Sequence, residues 1–132
     1  MIRYSRDPRL EEAVRCIASS LGMDYVDLSR VYVIRSWGSR SRAIARIYSM
    51  PSAWRFALGL QPVYLIEVIS ERFDRLDARG RAAVLVHELL HIPRGFSGGL
   101  RPHGRHVNGR LVRRLAERLD LRCMGLLGGN AY

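Results

Sequence analysis

Apolar residues recur along this chain in two rhythms, and their alternation predicts most of its elements. Leu10, Val14, Ile17 and Leu21 repeat at helical spacing behind Asp7-Pro8, a capping side chain followed by a proline suited to the first helical turn. Glu11 and Glu12 lie near the positive end of that helix, and Gly22 closes it. Val31 to Arg35 and Ala43 to Tyr48 are rich in β-branched and aromatic residues, with Trp37-Gly38-Ser39 between them. That pattern predicts a β-hairpin with a loop of several residues. Pro51 interrupts, and Ser52 to Leu60 reads as a loop or an irregular strand.

Val63 to Ile69 is the strongest strand signal, and its near-continuous apolar run predicts burial on both faces, Glu67 being the exception. Asp77 caps a helix over 78–91 that Pro93 stops. A Gly-rich loop, Gly95 to Gly99, leads to Arg101-Pro102. Pro102 then starts a final helix carrying Val107, Leu111, Leu115 and Leu119 on one side. Gly125 to Tyr132 reads as a mobile tail. With no internal repeat and no linker, residues 1–132 are expected to form a single domain.

A hydrophobic content of 48% excludes a largely disordered chain. The longest apolar run, Ala82 to Val86, is too short to cross a membrane. Met1 to Pro8 has no apolar core of the signal-peptide kind, so a cytoplasmic protein without membrane contact is expected. Net charge is +10, and all 22 Lys+Arg positions are arginine. Arginine grips phosphate and carboxylate bidentately, which favours nucleic acid or acidic protein surfaces as partners. The arginines are spread along the chain, however, and a solvated basic surface explains them equally well. Cys16 and Cys123 belong to no C-x-x-C pair, and their apolar neighbours predict buried free thiols. A disulfide between them is the alternative for a hyperthermophile source.

The chemistry concentrates in His87-Glu88-Leu89-Leu90-His91, an H-E-x-x-H motif. On a helix the two imidazoles lie about 40° apart and Glu88 about 100° from His87, so all three share a face. Ala82, Leu85, Val86, Leu89 and Leu90 fall on the opposite, buried side. Four-residue spacing lets two imidazoles hold one zinc ion at about 2.0–2.1 Å each. A catalytic zinc needs a third protein ligand, and His103, His106, Glu117 and Asp120 lie downstream. The H-E-x-x-H-x-x-G-x-x-H pattern fails, because Ser97 stands where its last histidine would be, and a metzincin is excluded. In the expected last helix His103 lies nearest the packed side, about 100° from its apolar centre, against about 160° for His106. His103 is the favoured third ligand and His106 the alternative.

The run HELLH, a short loop and then His103-Gly104 resembles the SprT-like zinc peptidases. Tyr64 to Glu71, His87 to Pro93 and Gly98-Gly99-Leu100-Arg101-Pro102-His103 are also similar to small metallopeptidases of archaea and phages. Val107 departs from the aromatic residue usual after H-G-x-x in the SprT-like pattern, and the sequence holds no zinc-ribbon motif. The resemblance implies an α+β, minimal zincin-like fold: a small twisted β-sheet with an N-terminal helix, the active-site helix, and a C-terminal helix carrying the third ligand. It also implies that the histidine before that glycine, His103, is that ligand.

The expected activity is zinc-dependent hydrolysis of peptide bonds in a peptide or protein substrate. Zn2+ on His87, His91 and His103 would lower the pKa of a bound water to about 7, and Glu88 would act as general base. Arg101 is a candidate donor for the oxyanion and equally a surface charge, while His106, the other candidate donor, reads first as a plain surface residue once His103 binds the metal. Pairing of an extended substrate with the 63–69 strand at a sheet edge is one reading, but most of that strand's side chains are expected to be simply core. Two alternatives fit the same residues: an arginine-rich nucleic-acid-binding domain, and a catalytically inactive zinc-binding relative. Glu88 argues against the last, since structural zinc needs no general base.

Overall fold

The computed structural model describes residues 1–128. Four strands form one mixed sheet: β1 (Arg3–Arg6), β2 (Val31–Trp37), β3 (Ala45–Ser49) and β4 (Tyr64–Ile69), in the order β1-β2-β4-β3. Six helices accompany them: α1 (Pro8–Ser20), α2 (Ser52–Leu58), α3 (Ser70–Phe73), α4 (Ala78–Leu90), α5 (Gly109–Ala116) and α6 (Leu121–Leu127). The architecture is the expected α+β, small-sheet arrangement of a zincin-like fold. No helix of the described residues is long and apolar enough to cross a membrane.

The expected hairpin is replaced by a crossover. β2 and β3 do not pair; β4 lies between them, parallel to β2 and antiparallel to β3. The reason lies in burial. Ile66 and Val68 are fully buried, so the most continuously apolar strand takes the centre, where both neighbours shield it. The edge facing the H-E-x-x-H helix is therefore β3; residues 63–69 are core, as expected of most of their side chains, and offer no free edge for an extended substrate. β1 has all four residues exposed, so no apolar pattern in the sequence announces it.

One face of the sheet packs on α1 and α4 through Val33, Ile66 and Val68 against Ile17, Leu85 and Leu89, all fully buried. The other face holds Glu67, which is 1% exposed although its strand neighbours are apolar. Tyr48 donates to its Oε1 at 2.5 Å and the Arg46 Nε at 3.2 Å. Burial pushes the Glu67 carboxyl up, but Ser36, Tyr48 and Arg46 together outweigh it and hold the pKa below the usual range. Burial and the same carboxylate push Tyr48 up to about 12.

Three local readings change. Ser52–Leu58 is a helix, closed by Gly59 in the left-handed region, although none of its residues is buried. The expected last helix is two: Asn108 caps α5 through the Leu111 N–H and Asp120 caps α6 through the Arg122 N–H, so each cap starts its own helix. The expected mobile tail begins at Gly125, yet Gly125 and Leu126 lie within α6 and accept hydrogen bonds from Arg9, and Leu127 is buried. Residues 129–132 of that tail lie outside the described residues.

Cys16 and Cys123 are joined in a disulfide, not left as free thiols. α1 packs on α6 and sets their Cα atoms 5.5 Å apart, inside bridging range. No local pattern carries that proximity, because 107 residues separate the two cysteines. Closing a loop of that size contributes about 4–5 kcal/mol in the chain-entropy account. Cys123→Ala is thus expected to lower the Tm by several degrees, and reductant should lower wild type to the variant's value. Coincident melts of wild type and variant under oxidising conditions would show that helix packing alone holds the termini.

Candidate metal centre

α4 begins where Asp77 accepts the Gly80 N–H at 2.9 Å and ends at His91, before Pro93. Its apolar side is driven into the core, which turns His87 and His91 toward the β3 edge. The groove there has a volume of about 560 Å³ and is lined by Arg42, Ile44, Ile47, Glu88, Leu100 and the histidines.

The third histidine arrives on a loop, not on a helix. Tyr64, in the central strand, accepts the Gly98 N–H and donates to the Gly99 carbonyl, both at 2.9 Å, while its ring meets Phe96 edge-on at 5.0 Å. Gly98 sits at φ +102, a backbone conformation that favours glycine, and a Cβ there would also displace the Arg55 guanidinium 2.6 Å away. The Arg101 N–H then returns to the His91 carbonyl at 2.7 Å. Beyond His103, Gly104 at φ +149 and its N–H bond to the Val107 carbonyl reverse the chain. The strand thus anchors one side of the loop and α4 the other, with His103 at its tip.

His87, His91 and His103 each offer a ligand nitrogen, and these atoms lie within 4.8 Å of one another; this is the one such cluster of three or more among the described residues. The His87 and His103 Nε2 atoms are 2.9 Å apart. His91 Nδ1 meets the Arg101 carbonyl, which sets the proton on Nδ1 and leaves Nε2 as the free lone pair. Burial, then the neighbouring His91 and His103, hold the His87 pKa below its usual value, so its neutral, ligating form prevails near pH 7. Glu88 is 6% exposed, with a carboxylate oxygen 3.9 Å from His87 Nδ1. Burial alone pushes its pKa up to about 7.

The other sequence candidates go elsewhere. His106 lines a separate cavity with Tyr25, Arg94 and Leu111. Glu117 is exposed at the end of α5, and Asp120 caps α6. Arg101, a candidate oxyanion donor in the sequence, instead donates from Nε and Nη2 to the Leu90 carbonyl at 3.2 and 3.1 Å, capping the C-terminal end of α4. In the sequence Tyr64 reads only as a strand residue. Its hydroxyl is the sole hint of a loop anchor, and a lone tyrosine in an apolar run does not announce one.

A protein-family model described as "Putative phage metallopeptidase" matches residues 2–123. No curated protein and no solved structure matches the chain.

Proposed function

This chain belongs to the phage metallopeptidase family, and from that premise we propose that it is a zinc-dependent peptidase with Glu88 as its general base. The observation that carries this reading is the arrival of His103 beside the HELLH pair. Three imidazoles are a donor set that suits zinc far better than magnesium or calcium. Bonds of about 2.0–2.1 Å in a tetrahedron set donors about 3.3–3.4 Å apart, a spacing that small side-chain rotations reach from the present cluster. Bound by His87, His91 and His103, zinc supplies Lewis-acid polarisation and an acidified water.

The chain's own residues do the rest. The Glu88 carboxylate takes a proton from the attacking water and returns it to the leaving amine. Its elevated pKa suits a group that must both accept and release that proton. The Arg101 carbonyl keeps the His91 ring oriented. β3 pairs only with β4, so its other edge has backbone groups free for an extended peptide, which would lie along the groove as an added strand. Recognition through backbone pairing asks for an extended segment and not for one particular side chain.

Chelation tests this. Treating the protein with a strong chelator is expected to abolish cleavage of an unfolded substrate such as casein, and one equivalent of zinc should restore it. Equal cleavage by metal-free and zinc-loaded protein would rule the reading out.

A further inference from the structure

The sheet face turned away from α1 and α4 carries rings and guanidinium groups where a solvated face would carry small polar residues. Register places Tyr32, Leu65 and Tyr48 in one row across three strands. Arg6, Ile34, Glu67 and Arg46 form the next row, with Tyr4 beyond it on β1. Tyr4, Tyr32 and Tyr48 are 58%, 41% and 40% exposed. Arg6 lies over the Tyr32 ring at 5.5 Å and Arg46 over Tyr48 at 5.8 Å.

This surface continues into a groove. Tyr4, Ile34, Tyr48, Leu65 and the buried Glu67 line a hollow of about 320 Å³. Tyr48 and Leu65 also line a groove of about 710 Å³ that runs past Tyr32 and Arg30 to Trp54 and Leu60. Trp54 is 61% exposed on a helix that buries nothing.

Charge selects the occupant. A second copy of a chain of net charge +10 would set Arg6, Arg30 and Arg46 against their own kind. The one carboxylate in these rows, Glu67, is buried beneath Arg46 and Tyr48. Arg6, itself exposed, meets the half-buried Glu11 only at 3.7 Å, and Arg30 meets the exposed Asp27 at 3.0 Å; contacts of this kind exchange readily for a phosphate. An anion that also offers flat faces fits both features, and bases display those faces only when unstacked. We propose that this outer sheet face and its groove bind single-stranded nucleic acid, with bases stacked on Tyr32, Tyr48 and Trp54 and the backbone held by Arg6 and Arg30.

The site stands across the sheet from the histidine cluster, so it does not depend on the peptidase reading. A fluorescein-labelled 12-nucleotide oligothymidylate, monitored by anisotropy at several salt concentrations, tests it. Wild type should bind, with log affinity falling by about 0.7 per log unit of salt for each phosphate neutralised. Tyr32→Ala and Trp54→Ala should each weaken binding about tenfold or more. Tyr32→Phe should restore it, and metal content should not change in any of them. No binding at low salt, or wild-type affinity in both alanine variants, would overturn the proposal. So would poly-glutamate displacing the oligonucleotide at equal charge, which would indicate an acidic protein partner. Sedimentation showing a wild-type dimer that Trp54→Ala dissolves would assign the face to a second copy instead.

Discussion

Glu88→Gln is expected to keep one zinc per chain and lose about 10²–10⁴-fold in kcat/KM, the range a positioned general base contributes. Glutamine preserves the shape beside His87 but cannot accept a proton. Metal analysis and casein cleavage on the same preparation check both halves. Retained metal with retained activity would remove Glu88 from the chemistry.

The same substitution should have an opposite effect on stability. Glu88 has a folded pKa of about 7, above its ordinary 4.5, because burial penalises the charged form. Below pH 4.5 the carboxyl is protonated in folded and unfolded chains alike, and no penalty applies. Between 4.5 and 7 the folded chain binds more protons than the unfolded one, so stability falls as pH rises; above 7 the loss is complete. The gap corresponds to about 3 kcal/mol. Metal-free Glu88→Gln should therefore melt several degrees above metal-free wild type at pH 8, with a smaller difference at pH 4.5. Taking the difference cancels His87, whose lowered pKa acts in the other direction and is common to both proteins.

His103→Ala is expected to strip the metal and reduce peptidase activity to background, while His106→Ala leaves both intact. Losing a supporting partner of a ligand typically weakens metal binding about 10–100-fold, and losing the ligand itself should exceed that. Equilibrium dialysis against zinc separates the two histidines. His103 is on the surface at a loop tip, so its substitution should leave the melting of the metal-free chain nearly unchanged. Metal lost from His106→Ala and kept by His103→Ala would mean that the loop adopts another path.

Much of the site is legible in the sequence because it is local. Asp77, Pro93 and the apolar positions between them define α4, and helical spacing alone brings His87, Glu88 and His91 to one face. His103, and not His106, lies beside the HELLH pair, but not for the reason read from the sequence. The helix geometry that favours it in the sequence does not exist, since Asn108 starts α5 after both histidines. His103 reaches the pair because Tyr64 holds Gly98 and Gly99 from a strand more than thirty residues earlier. The absent hairpin and the unexpected disulfide share that character: each depends on which distant segment comes alongside.

By itself, then, the sequence determined the features that neighbours three or four residues apart dictate: α1, α4, the buried strand and the paired histidines with their glutamate. Tertiary structure alone decided that β4 sits between β2 and β3, that β3 borders the groove, that α1 and α6 bring two cysteines together, and that His103 completes the cluster. Periodicity reports which face of an element is apolar, and burial then chooses among many distant partners for that face. That choice is made by the whole chain at once, which is why no short stretch of it carries the answer.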